Sequence, residues 1–164
     1  MIPLKDTIPS KKFPIVNIAL IAANILIFLF QQALTPQELY GFIYRYGTVP
    51  QQLTAGLQLF IKTGFQWAVL GPALFPLITA NFLHGGWLHL LGNMLYLWVF
   101  GDNIEGCLGH LGYLFIYLIM GAGSQLLHLI SDPLSQAPLI GASGAIAGVL
   151  GAYFILYPQS RVLT

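Results

Sequence analysis

Four stretches of the chain are apolar for long enough to cross a bilayer, and the polar residues inside them are few. A hydrocarbon core of about 30 Å takes about 20 apolar residues in a helix. Residues 13–30 are apolar apart from Asn17 and Asn24. Residues 75–100 carry His84, His89 and Asn93, and residues 111–130 carry Gln125 and His128. Residues 137–157 are rich in Gly and Ala, with Ser143 near the start. The pattern predicts an all-α fold, a polytopic membrane helical bundle with helices at about 13–30, 75–100, 111–130 and 137–157.

Residues 31–74 are too long for a turn. They mix Pro36, Gly47, Pro50, Gln51 and Gln52 with apolar runs too short to span. An external loop with interfacial helices is expected there, with Tyr40, Tyr44, Tyr46 and Trp67 at the headgroup level. No repeat, linker or low-complexity tract divides the chain, so residues 1–164 read as one domain.

Composition sharpens this picture. Charged residues make up 7% of the 164 residues and the AVILMFWYC set 57%, whereas a soluble surface is about a quarter to a third charged. Lipid is therefore the expected partner of most of the surface. A net charge of +1 from six basic and five acidic side chains leaves no basic patch for nucleic acid. The single cysteine, Cys107, excludes an internal disulfide framework and a cysteine-based zinc site. No cofactor is indicated, and the oligomeric state is left open.

The Lys/Arg bias sets the orientation. With the N-terminus inside, Lys5, Lys11, Lys12 and Arg161 are cytoplasmic and Arg45 and Lys62 external. The turn at 102–110 is then cytoplasmic, the turn at 131–136 is external, and Ser143 and His89 lie at similar depth below the outer surface. No small-residue cleavage site follows the first apolar run, so it reads as a retained helix. A multi-pass protein of a bacterial inner membrane is the expectation.

Polar side chains at membrane depth are functional candidates. The run Gly141, Ala142, Ser143, Gly144, with Gly148 beyond it, fits close helix packing through a GxxxG, and equally a nucleophile at a helix start. It is not a soluble hydrolase elbow, since Ala145 replaces the last glycine and no strand precedes it. His89 and Asn93, at i and i+4, share a helix face, while His84 lies about 140° from His89 on an ideal helix. It would sit elsewhere if Gly85 and Gly86 break the helix. A metal wants converging imidazoles and a further ligand. His84 and His89 converge poorly on a helix and no HExxH is present, so no metal site is expected. Interhelical glue and an array of N–H donors for a developing oxyanion both remain open. Asp102 and Glu105, near water at the inner end, read as solvated or loop-capping carboxylates, too far from Ser143 to serve it.

Together these motifs resemble the rhomboid family of intramembrane serine proteases. The resemblance rests on His84-x4-His89-x3-Asn93, Glu105 twelve residues after Asn93, and Gly141-x-Ser143-Gly144 opening the fourth span. The long first loop with Arg45-Tyr46-Gly47 adds to it, and it extends from about residue 13 to the end. It implies six core helices, of which this chain holds four, around a water-filled cavity. Ser143 would be the nucleophile, with His89, Asn93 and the Ser143 backbone N–H as the oxyanion hole. His84, Gly141, Gly144 and Glu105 would be structural or cavity residues. Transmembrane segments of other proteins would be the substrates.

Two departures bear on activity. In rhomboids the base is a histidine of the sixth helix in a Gly-x-x-x-His pattern, and none follows Ser143 here. Ala147 stands where the family often has an aromatic ring. His110 is on the wrong side, and His128, at the right depth, reads as a packed or loop-bonding residue. Residues 161–164 look like the entry to a further segment. The expectation is a chain cut short of its base and inactive alone. The competing expectation is a short non-catalytic relative that binds transmembrane partners.

Overall fold

A computed structural model describes residues 3–9 and 12–164. Lys11, which entered the orientation count, lies outside the described residues. The architecture is helical. Helix α1 (Ile15–Ala33) is followed by α2 (Pro36–Tyr46), α3 (Pro50–Lys62), α4 (Trp67–Leu74) and the single turn α5 (Pro76–Thr79). Then come α6 (Trp87–Ser131) and α7 (Ser143–Leu156). Helices α1 and α6 are long and apolar enough to cross a membrane.

Helix α6 is continuous in hydrogen bonding but not in direction. Gly109 adopts φ 74°, ψ 167°, a left-handed φ that glycine takes at little cost. The break leaves arms of about 22 residues, roughly 33 Å each. The arms fold back on one another. Gly101 on the first and the Tyr113 hydroxyl on the second both lie against Asn17 of α1. Asn17 accepts from Tyr113 at 2.7 Å and donates to the Leu97 carbonyl at 2.9 Å, so a buried amide ties three helical segments together. Around it Phe28, Leu97, Phe100, Ile104, Tyr117, Val149 and Tyr153 form the core. The outward faces are apolar as well: Leu88, Leu111 and Ile155 are each more than four-fifths exposed, as a lipid-facing surface requires.

The end of the bundle that holds Glu105, the inner end in the expected orientation, is closed by hydrogen bonds. The first N–H groups of a helix have no intrahelical partner, and Pro14, which precedes α1, has no side-chain cap to offer. Glu105 supplies one from 88 residues away, accepting from Val16 N–H at 2.9 Å and Asn17 N–H at 2.7 Å. A carboxylate there also meets the positive end of the helix dipole. His110 Nδ1 sits 2.5 Å from the same carboxylate. Glu105 is 1% exposed, so the expectation of a solvated group fails for it; helix capping places it inside. Beside it, Asp6 accepts from Asn103 Nδ2 and from the Tyr153 hydroxyl.

Two expectations from the pattern need correction. Residues 75–100 are not one helix. After α5 comes a 3-10 turn (Ala80–Phe82), extended backbone through Leu83 and Gly86, and a helix that starts only at Trp87. Gly85 and Gly86 withdraw helix propensity at that point. Residues 137–157 are not one helix either. Leu139 pairs in antiparallel fashion with Thr48, with bonds of 3.1 and 2.8 Å, and Gly141 at φ 122° forces the turn that lets α7 begin at Ser143. Hydropathy could not see this, since the extended segment is as apolar as the helix. At the end of the described chain β2 (Val162–Leu163) pairs with β1 (Lys5–Asp6).

Candidate functional site

The site is assembled at the outer end by three backbone irregularities: the extended segment before α6, the extended segment before α7, and the end of α1. Gln31, in the last turn of α1, clamps the backbone of His84. Its Nε2 donates to the His84 carbonyl at 3.2 Å, and its Oε1 accepts from the His84 N–H at 3.1 Å. His84 is thereby held off the helix that carries His89 and Asn93. The backbone is irregular there, the alternative that Gly85 and Gly86 left open, and the two histidine rings lie edge to face with centroids 5.1 Å apart. Asn93 Nδ2 reaches His84 Nε2 at 2.9 Å. Among the described residues no group of three His, Cys, Asp or Glu is placed to hold a metal ion.

Gly141 joins this cluster to Ser143. Its N–H donates to the Ala80 carbonyl at 2.9 Å. A Cβ added to it would lie 2.6 Å from Nε2 and Cε1 of His89. Glycine is thus required twice, by the positive φ of 122° and by the imidazole packed on its Cα. The imidazole, half-buried, packs on the glycine two positions before Ser143 in the chain.

Ser143 is the first residue of α7. It is exposed, and its side chain makes no hydrogen bond among the described residues. The first bond of α7 runs from Ile146 N–H to the Ala142 carbonyl. The N–H groups of Ser143, Gly144 and Ala145 thus lie in the turn that a helix leaves without internal partners. A hydroxyl at the positive end of a helix, beside N–H groups without intrahelical partners, is an arrangement suited to stabilising a developing oxyanion.

The hydroxyl opens on a cavity of about 170 Å³ lined by Ser124, Gln125, His128, Leu139, Ile140, Gly141, Ser143 and Gly144. The third apolar stretch enters the site here. Ser124 fills the space over Gly144 that a side chain would need, and its hydroxyl donates to the Gly121 carbonyl at 2.8 Å. Gln125 is fixed by the Thr48 hydroxyl, the Leu77 carbonyl and Asn81. His128 lines the cavity but forms no hydrogen bond with Ser143. Glu105 lies at the far end of the bundle with α1. Sequence reasoning missed Gln31 and Ser124. A glutamine in the last turn of an otherwise apolar helix was the available signal for the first. Nothing in the local pattern marked the second.

Comparison with known proteins places the same region. The Rhomboid domain family matches residues 72–164, a segment that contains His84, His89, Asn93, Glu105 and Ser143. The putative rhomboid protease YdcA of Bacillus subtilis (strain 168) is 33% identical over 94 residues, 57% of this chain and 47% of that protein. RHOMBOID-like protein 5 of Arabidopsis thaliana is 40% identical over 76 residues, 46% of this chain and 25% of that protein. Rhomboid protein 1, mitochondrial, of Saccharomyces cerevisiae (strain ATCC 204508 / S288c) is 34% identical over 91 residues, 53% of this chain and 26% of that protein. Each match thus spans less than half the length of the relative. No solved structure matches the chain. The expected bacterial inner membrane gains no support from these relatives, some of which are named mitochondrial or chloroplastic.

Proposed function

The chain belongs to the Rhomboid family, and from that premise we propose that it forms the nucleophile-bearing part of an intramembrane serine endopeptidase. It is an integral membrane protein with its N-terminus cytoplasmic, and its substrates are transmembrane segments of other membrane proteins. Ser143 is the nucleophile. His89, Asn93 and the backbone N–H of Ser143 receive the oxyanion, in a cavity that brings water to membrane depth.

The observation that carries this reading is the contact between His89 and Gly141. It packs an imidazole on the glycine two positions before Ser143, whose hydroxyl has no partner among the described residues and which opens α7. A structural serine in a helix bonds its own backbone, as Ser124 does. Ser143 does not.

A serine hydroxyl needs a general base, and no described residue hydrogen-bonds Ser143. The family implies a histidine on a later helix for that role, and the 164 residues alone are expected to show little proteolysis. The same observation favours a second reading, a non-catalytic rhomboid-like protein that binds transmembrane partners. A transmembrane substrate reconstituted with the full-length protein separates them. Cleavage that disappears in Ser143→Ala supports the protease. Stable co-purification of uncut substrate with both forms supports the binder.

A further inference from the structure

Among the described residues Asn93 makes one hydrogen bond, and it goes to His84 rather than to the groups around Ser143. His84 is 2% exposed, and the paired bonds from Gln31 fix its backbone. Its ring therefore has little freedom to answer to Asn93; Asn93 must answer to the ring. An asparagine amide has a donor end and an acceptor end of nearly the same shape, and its neighbours decide which way it lies. A neutral imidazole has one N–H and one lone pair. With Nε2 accepting from Asn93, the proton of His84 is on Nδ1. That atom is buried without a hydrogen-bond partner among the described residues.

We propose that His84 is a positioning residue for Asn93: its Nε2 takes one N–H of the amide and so leaves the other as the donor offered to the oxyanion. The catalytic use of this contact rests on the protease reading above. The orientation itself does not. Protonation of His84 puts a hydrogen on Nε2, where it faces the Asn93 amide donor. The amide then turns over, presents Oδ1 to His84 and withdraws its free N–H from the direction it had held. The titratable group facing His84 among the described residues is His89 of α6, at 5.1 Å between ring centroids. The α1 group in contact is the neutral Gln31.

Two measurements on the full-length protein in lipid nanodiscs test this. Long-range proton–nitrogen spectra of histidine-labelled protein are expected to show His84 with its proton on Nδ1 at neutral pH. Finding the proton on Nε2 would overturn the proposal whatever the activity. In Ser143-dependent hydrolysis, His84→Ala is expected to lower kcat about 10–100-fold at unchanged KM. His84→Gln, which keeps an acceptor, restores most of it. The acid limb of kcat tracks His84 protonation in the spectra and is absent in His84→Gln. Equal losses in His84→Ala and His84→Gln, with KM rising in step, would reduce His84 to a structural residue and contradict the proposal. A proton on Nδ1 with no Ser143-dependent hydrolysis supports the orientation of Asn93 and rejects the protease reading.

Discussion

The two ends of the bundle bury polar side chains in opposite ways. At the inner end Glu105, Asn17, Asp6, Asn103 and Tyr153 bond to one another and to the first turn of α1, and within this cluster Asn103 Oδ1 is the one buried side-chain atom left without a partner among the described residues. At the outer end the accounting does not close. Ser143 has no side-chain partner among the described residues, the first N–H groups of α7 lack intrahelical acceptors, and His84 Nδ1 is an orphan. Both clusters are expensive in an apolar surround. The first returns that cost as cohesion between helices. The second leaves its groups available to something else, which is what a reaction centre requires.

The sharpest way to break this comparison is at Glu105. Replacing it with Ala strips two backbone N–H groups of a charged acceptor. The expected loss is about 3 kcal/mol of unfolding free energy, taking charge-assisted bonds at about 1.5 kcal/mol or more each. Reversible unfolding in mixed micelles measures it, and a loss under about 1 kcal/mol would mean that the inner end is not a structural clamp. Next is Gly141→Ala. A positive φ in a non-glycine residue costs about 1–3 kcal/mol, and the new methyl drives the His89 ring from its place. Modest destabilisation with loss of all Ser143 reactivity is expected; full reactivity would refute the contact.

Ser143→Ala is the converse. A hydroxyl without a partner contributes little, so stability should change by less than about 0.5 kcal/mol. A large loss would show that the serine is structural. The smallest effect lies in α2, outside the membrane helices. Glu38 and Thr35 form a capping box, and the Thr35 side-chain and backbone donors hold the Glu38 carboxyl below its usual range. A lowered folded pKa means stability present above the ordinary glutamate range and lost as pH falls through the folded value. Amide exchange at the start of α2 is expected to speed up over that acid window in the wild type and to lose the dependence in Glu38→Gln.

How much of this was legible beforehand divides along the same line. Residues 13–30 and 111–130 show as apolar runs because a helix in lipid leaves a continuous compositional trace. The spacing of His84, His89, Asn93 and Ser143 marked the candidate site through its resemblance to a family. The backbone irregularities were not legible in this way. Leu83, Leu139 and Ile140 are as hydrophobic in extended segments as in a helix, and hydropathy carries no dihedral information. Only Gly85, Gly86, Pro138 and Gly141 hinted at them. The pairing of Glu105 with the start of α1 spans 88 residues, and no local pattern encodes a contact at that separation. The approach of His84 to His89 was open for the same reason, since helical angles apply only where there is a helix.

The central claim is that the open outer cluster is a reaction centre whose nucleophile is Ser143. Cleavage of a transmembrane substrate by the full-length protein in liposomes, read by mass spectrometry of the products alongside Ser143→Ala, tests it most directly. The account predicts one cut near the outer end of the substrate helix by the wild type, and none by a Ser143→Ala protein that is equally stable. Cleavage that survives in Ser143→Ala would contradict it.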